Sequence, residues 1–308
     1  MDKIITRRKM IKGSCAIIGA AGFNTLPLFA FNNTMINRAI PSSKEKIPVI
    51  GLGSWQQFDV GEANAERNPL KEVLLKMNEM GGKMIDASPM YGRAEQVIGD
   101  LSTELALNNK FFLATKVWTT GKQEGIEQMT ASLQKMKRTS LDLMQVHNLQ
   151  NWQTHLKTLQ GWKESGKVRY IGVTHYTDSA HDRLESIVKS KVVDFVQFNY
   201  SIRSRNAEKS LLKAARDNGV AVIINEPFEQ GELFRFVKGK SLPAWSEDYG
   251  IKSWAQFFLK YIISDPGVTC VIPGTSDVKH ITDNLGAGFG QLPDVQGRKK
   301  MLEWITTI

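Results

Sequence analysis

Cysteine is nearly missing from this 308-residue sequence: Cys15 and Cys270 are the only two. Their separation fits no metal-binding spacing, and no set of disulfides can staple the fold. If the N-terminus is removed, Cys270 stands alone, which an exported bacterial protein tolerates without favouring. Long apolar runs are missing too. The best candidate, residues 13–31, is short for a membrane span and broken by glycine, Asn24 and Pro27. Basic stripes interleaved with aromatics are absent, which excludes nucleic acid as the natural partner despite a net charge of +9. Lys3, Arg7, Arg8, Lys9 and Lys12 against Asp2 place +4 of that charge in the first thirty residues, leaving +5 scattered over the rest. The dinucleotide fingerprint is incomplete. Gly51-Leu52-Gly53-Ser54-Trp55 lacks the third glycine and no helix follows it directly, which weakens an open doubly wound sheet.

What is present begins with an address. Thr6-Arg7-Arg8-Lys9-Met10-Ile11-Lys12 leads into an apolar, small-residue stretch with Ala30 near its end. A charged start, a short apolar middle and a small residue make a signal peptide. The paired arginines resemble the bacterial twin-arginine signal, so the export machinery is an expected partner and the periplasm the expected location. An uncleaved anchor is the alternative. Cys15 has no lipid-attachment context, because Lys12 stands three residues before it. The expected organisation is a signal at 1–30, a polar flexible linker at 31–46 and a folded domain at 47–308.

Within that domain short apolar runs alternate with amphipathic stretches. Strands are expected at 49–53, 83–87, 111–117, 141–147, 170–174, 195–199, 221–225 and 270–273. Helices are expected between and after them at 69–80, 94–106, 126–136, 154–165, 180–189, 207–218, 253–264 and 278–287, with one more near 298–308. Gly81, Gly166 and Gly219 sit where helices should stop. Asn68-Pro69 reads as a helix start. Eight strand–helix units imply parallel pairing closed into a (β/α)8 TIM barrel, for which this length is normal.

Such barrels collect chemistry at the C-terminal ends of their strands. Asp86, Lys116 and His147 each follow an apolar run, and Tyr91 lies five residues past Asp86. Singly, these fit a helix cap, a rim lysine, a satisfied core histidine and a packed ring. Together at one rim they resemble the Asp, Tyr, Lys, His tetrad of the aldo-keto reductase family. The surrounding words match it as well: Ile85-Asp86-Ala87-Ser88-Pro89-Met90-Tyr91-Gly92, Ala114-Thr115-Lys116-Val117 and Leu141-Asp142-Leu143-Met144-Gln145-Val146-His147-Asn148. The similarity runs from about Ile47 to Leu285. It implies hydride transfer between a nicotinamide cofactor and a small-molecule carbonyl or alcohol, with Tyr91 as acid/base and no metal.

The chemistry is coherent. Hydride arriving on carbon leaves negative charge on oxygen, which a proton donor must relieve. Lys116 is expected to lower the tyrosine pKa from its ordinary value of about 10, and Asp86 to pair with the buried ammonium. His147 is expected to donate a hydrogen bond to the substrate oxygen.

The resemblance also implies a cofactor site. Gln197 matches the residue that holds the nicotinamide amide. Thr174 and His175 stand where the family usually has Ser-Asn. Asp283 and Asn284 match the pair that reads adenine. Ser54, Trp55, Phe228, Thr275 and Ser276 complete the expected lining. Three positions depart from the pattern: Asn225 replaces a stacking tyrosine, Gly274 a phosphate-reading lysine and His280 an arginine. NADP(H) is expected, with NAD(H) left open. Trp55 and Trp118 are expected at the substrate mouth. The long segment 226–250, with its aromatics and Arg235, Lys238 and Lys240, is expected to fold over the pyrophosphate. Two other classes stay open. A redox-silent nucleotide-binding barrel has no need of the tetrad. A carbohydrate-cleaving barrel needs two opposed carboxylates, for which Asp86 and Glu226 are the obvious pair.

Overall fold

A computed structural model describes residues 34–308; the signal expected at 1–30 lies outside the described residues. A short hairpin, β1 (Asn37–Ala39) and β2 (Lys46–Pro48), comes first. Eight parallel strands then follow the apolar runs: β3 (Leu52–Gly53), β4 (Met84–Asp86), β5 (Phe112–Val117), β6 (Leu141–His147), β7 (Val168–Thr174), β8 (Phe195–Asn199), β9 (Ala221–Asn225) and β10 (Cys270–Val271). Each pairs with its neighbour in chain order. Backbone bonds from Gly51 to Val271 and from Gly53 to Pro273, 2.8 and 3.1 Å, join the last strand to the first and close the barrel. The helices are α1 (Asn64–Glu79), α2 (Ala94–Glu104), α3 (Lys122–Lys135), α4 (Trp152–Glu164), α5 (His181–Lys189), α6 (Leu211–Asp217), α7 (Glu232–Phe236), α8 (Trp254–Ile263), α9 (Val278–Gly286) and α10 (Val295–Thr307). Short α7 and C-terminal α10 are additions to the outer ring that the other eight form. Among the described residues no helix is long and apolar enough to cross a membrane.

The twofold alternation of strand side chains decides where the site falls. Met84, Phe112, Leu143, Tyr170, Phe195, Ala221, Ile223 and Cys270 form one buried cluster of inward-facing residues. The Phe112, Tyr170 and Phe195 rings lie 5.5–6.1 Å apart within it. One or two pleats further along the same faces stand Asp86, Lys116, Gln145, His147, Thr174 and Gln197, all buried. An apolar floor thus carries a polar layer at the C-terminal mouth.

Two expectations are corrected here. The linker does not extend through residue 46, because β1 pairs antiparallel with β2. Ile40 and Ile47 of this hairpin join the inward cluster and plug the far end of the barrel. Burying each stabilises the plug by about 1.5–3 kcal/mol. Tyr170 at the bottom layer donates to Glu45 and accepts from Ser43, both at 2.7 Å, which ties the plug to the strands. The second correction concerns α1, which starts at Asn64 and keeps Pro69 inside it. The proline removes one hydrogen bond, to the carbonyl of Ala65, which is exposed to solvent. The three stop glycines behave as expected, with φ of 83, 74 and 68° at Gly81, Gly166 and Gly219.

Segment 226–250 is built rather than loose. Helix α8 buries all but one of its residues, so its outer aromatics need cover. The Phe228 and Phe234 rings lie 4.8 Å apart and both pack against Phe258. Trp245 covers Phe257 at 6.0 Å. These rings, expected over a dinucleotide, are engaged with α8. Arg235 is ion-paired with Glu232 of its own helix, while Lys238 and Lys240 are exposed.

Candidate active site

The centre of the polar layer is an ion pair. Lys116 Nζ lies 2.5 Å from Asp86 Oδ2 and 2.6 Å from the Ala87 carbonyl, and both charged side chains are buried. Burial by itself would strip the lysine of its proton. The charge of Asp86 and its bond to the ammonium outweigh it and hold the ammonium pKa above the ordinary value. The other Asp86 oxygen accepts from Gln145 at 3.3 Å and from Gln197 at 3.1 Å. Gln197 in turn accepts from Thr174 at 2.7 Å. The carboxylate is therefore held by donors from β5, β6 and β8, which leaves one orientation open to it.

Tyr91 reaches this pair from the turn after β4. Its ring centroid is 5.0 Å from Lys116 Nζ. Lys116 favours the phenolate as expected, yet the phenol pKa is raised, not lowered. Desolvation is the largest cause, and the charges of Asp86 and Glu226 add to it. Tyr91 thus stands as a neutral phenol, a proton donor beside a cation.

His147 completes the group. Its ring meets Tyr91 edge-on at 5.8 Å and lies 6.4 Å from Trp118. Its Nδ1 is 2.9 Å from Ser88 Oγ. Burial, then the charge of Lys116 and of His175, lowers its pKa to about 2. The imidazole is neutral at neutral pH. This fixes a sign for acid stability. Between pH 6.5 and about 2 the unfolded chain binds a proton at this residue that the fold rejects, so stability falls as pH falls, by about 1.4 kcal/mol per unit. Between pH 7 and 5 the wild type should lose about 2 kcal/mol that His147→Gln does not lose. Urea midpoints of both proteins at the two pH values check it; parallel losses would contradict the buried neutral ring.

The mouth above is aromatic. Trp55 is 44% exposed, Trp118 39%, Met90 40% and Tyr176 49%, which leaves apolar surface open around the tetrad. The expected cofactor residues divide into two groups. Thr174, His175, Gln197 and Asn225 are brought together beside the tetrad. His175 Nδ1 accepts backbone N–H groups of Tyr176 and Thr177 at 3.0 and 3.2 Å, so its Nε2 is the protonated nitrogen. Asn225 donates to the His175 carbonyl at 3.3 Å, and its buried Oδ1 has no partner among the described residues. Thr275, Ser276, His280, Asp283 and Asn284 lie after β10 and along α9, apart from the tetrad. There Ser276 donates to Gln57 at 3.1 Å, and Thr275 Oγ1 accepts from the Asp277 amide at 3.1 Å. His280 is exposed and Asn284 buried. Asp283 accepts from Ser253 at 2.6 Å and Gln256 at 2.8 Å, holding the start of α8. Ser54 is buried and donates to the Asp86 carbonyl at 2.8 Å, and Phe228 packs on α8.

Ser88 and Gln145 escaped the sequence reading. Gln145 was signalled by its inward parity with His147. Ser88 lies inside the Asp86–Tyr91 motif, where nothing in the residue pattern assigns it a role. Glu226, named only as half of a carboxylate pair, is half-buried at φ 49°. Its carboxyl pKa is raised by burial and then by Glu229, and it reaches Tyr91 only through its charge. Its intended partner Asp86 is engaged by Lys116, which leaves no opposed pair of free carboxylates here.

This layer of aspartate, lysine, tyrosine and histidine on a (β/α)8 barrel defines a carbonyl oxidoreductase of the barrel type. The chain belongs to the aldo/keto reductase family, whose pattern it matches over residues 49–298. It is 27% identical to the methylglyoxal reductase YeaE of Escherichia coli over 251 residues, 79% of this chain and 86% of that protein. It is 27% identical over 297 residues to the NADP-dependent D-sorbitol-6-phosphate dehydrogenase of Malus domestica, covering 82% and 89% of the two chains. Among solved structures, an aldo-keto reductase from Klebsiella pneumoniae in complex with NADPH superposes with a TM-score of 0.73. Its sequence is 22% identical, and the match covers 88% of this chain and 96% of that one.

Proposed function

We propose that this protein reduces an aldehyde or ketone, or oxidises the corresponding alcohol, with NADP(H) as the preferred cofactor and NAD(H) tolerated. The observation that carries the reading is the buried Asp86–Lys116 pair directly behind Tyr91. A redox-silent binding barrel gains nothing from that costly pair. A bound nicotinamide supplies the hydride. Tyr91, neutral and hydrogen-bearing, gives its proton to the carbonyl oxygen as charge grows there. Lys116 stabilises the phenolate left behind, and Asp86 with its glutamine donors keeps Lys116 charged and placed. His147 donates to the same oxygen and orients it. Trp55 and Trp118 exclude water on the open side.

The residues present fit a nicotinamide amide. His175 offers Nε2–H, and the Asn225 Oδ1 has no partner among the described residues, while Gln197 and Thr174 lie beside them. The phosphate end has weaker means, since Gly274 and His280 replace the cations expected there and a histidine holds a phosphate less well than a bidentate arginine. NADP(H) should therefore be preferred over NAD(H) by less than about a thousandfold, on the order of 4 kcal/mol. Fluorescence titration with both nucleotides measures the ratio, and a larger preference would reveal a cationic site elsewhere. Among the relatives, one protein of Escherichia coli is named an NADH-specific methylglyoxal reductase, which supports keeping both cofactors. The reading is tested by following reduced-nicotinamide absorbance with a panel of aryl and small aliphatic aldehydes. No aldehyde-dependent oxidation, with nucleotide bound, would favour the redox-silent barrel.

The address adds a further part to the proposal. The sequence Thr6 to Lys12 supports twin-arginine export, which carries proteins already folded. Changing Arg7 and Arg8 together to lysine should leave the precursor in the cytoplasm. Fractionation and immunoblotting check this; normal delivery of the double variant would leave an ordinary signal or an anchor. An exported enzyme without a nucleotide pool would need its cofactor held through many turnovers.

A further inference from the structure

His147 can donate to a carbonyl oxygen only if the proton sits on the nitrogen that faces the mouth. A neutral imidazole has two tautomers, and its own chemistry fixes neither. The surroundings of Nδ1 therefore decide the matter. Ser88 is wholly buried, and its Oγ lies 2.9 Å from Nδ1. The same Oγ accepts the Met90 amide at 3.3 Å, so the turn already supplies a donor to the serine oxygen. Among the described residues the single hydroxyl proton then has one acceptor in reach, His147 Nδ1. The opposite arrangement, with Nδ1–H pointing at Ser88, strands the hydroxyl proton in a buried place without an acceptor.

We propose that Ser88 is a positioning residue: its hydroxyl donates to His147 Nδ1 and thereby holds the ring as the Nε2–H tautomer, the form that gives a hydrogen bond at the mouth. The placement follows from the motif Asp86-Ala87-Ser88-Pro89-Met90-Tyr91. This one turn supplies the carboxylate and carbonyl that hold Lys116, the hydroxyl that holds His147 and the phenol itself. The register of β4 against β5, and of β5 against β6, thus sets three contacts of the tetrad at once. The inference rests on the reading of His147 as the oxygen's hydrogen-bond donor, but the tautomer itself can be read without any turnover.

The test is long-range proton–nitrogen correlation NMR on cofactor-free protein labelled with 15N-histidine, at neutral pH. His175 serves as an internal reference, because two backbone N–H groups at its Nδ1 already require the Nε2–H form. Wild-type His147 should show the same pattern, protonated at Nε2 and bare at Nδ1. A spectrum with Nδ1 protonated would overturn the proposal before any variant is made. In Ser88→Ala the His147 signals should shift toward the other tautomer while those of His175 stay, and kcat should fall about tenfold with nucleotide Kd unchanged. Ser88→Thr, which keeps the hydroxyl, should keep the wild-type tautomer. A Ser88→Ala protein with an unchanged His147 tautomer would also overturn it. An inactive wild type whose His147 is nonetheless the Nε2–H form would sink the reductase reading and leave the serine's effect on the ring standing.

Discussion

Replacing Tyr91 with phenylalanine is expected to lower kcat by about a hundred- to ten-thousandfold while nucleotide affinity stays within about twofold. The phenol is the only neutral acid of the tetrad, held hydrogen-bearing by burial and by the charges of Asp86 and Glu226. Phenylalanine keeps the ring that Lys116 and His147 pack against and removes the hydroxyl alone. The loss should fall on kcat because the proton is needed where charge develops, not where ground-state substrate binds. Steady-state kinetics with one aldehyde and a fluorescence titration of the nucleotide separate the two quantities. Activity within about threefold of the parent would remove Tyr91 from the role of acid/base.

The second large effect is on stability as well as rate. Lys116→Met should cost about 3–5 kcal/mol of folding free energy, because it leaves the Asp86 carboxylate buried without its cation. The two glutamine donors at the other oxygen keep the figure from rising further. Changing Asp86 to asparagine in the same chain should recover most of the loss, since a neutral amide needs no counter-ion, while turnover stays abolished in both proteins. Urea denaturation of the two single variants and the double variant gives the coupling directly. A loss under about 1 kcal/mol in Lys116→Met, or no recovery in the double variant, would mean the pair is far better solvated than its burial implies.

Most of the barrel was legible because its central strands are buried on both faces. The sequence places strands at 141–147, 195–199 and 221–225, and the structure has the same bounds at Leu141–His147, Phe195–Asn199 and Ala221–Asn225. Strands bounded by glycine and proline came out shorter: 270–273 shrinks to Cys270–Val271 because Pro273 cannot donate to the ladder. The N-terminal hairpin was illegible for a different reason. Polar Asn37, Arg38, Glu45 and Lys46 mask a plug whose apolar signal is Ile40 and Ile47 alone. Segment 226–250 shows the limit of reasoning from residue type. Its aromatics stand out as a set, but whether they cover a ligand or a helix depends on α8 being buried on nearly every face, which is a fact of packing. The four candidate residues could be singled out because Asp86, Lys116 and His147 close apolar runs at strand ends and Tyr91 lies in the turn after one of them. Ser88 and Gln145 were not given roles, because theirs arise from the register between strands and exist only once β4, β5 and β6 are side by side.

The central claim is hydride transfer at Tyr91, and the most direct measurement is the fate of deuterium. The purified protein is given NADPH carrying deuterium at the transferable position of its nicotinamide ring, together with an aryl aldehyde, and the product is examined by mass spectrometry. The account predicts one deuterium on the alcohol carbon for each cofactor oxidised, and its loss in Tyr91→Phe. Cofactor bound at full occupancy with no deuterium in any product, or transfer that Tyr91→Phe leaves untouched, would contradict it.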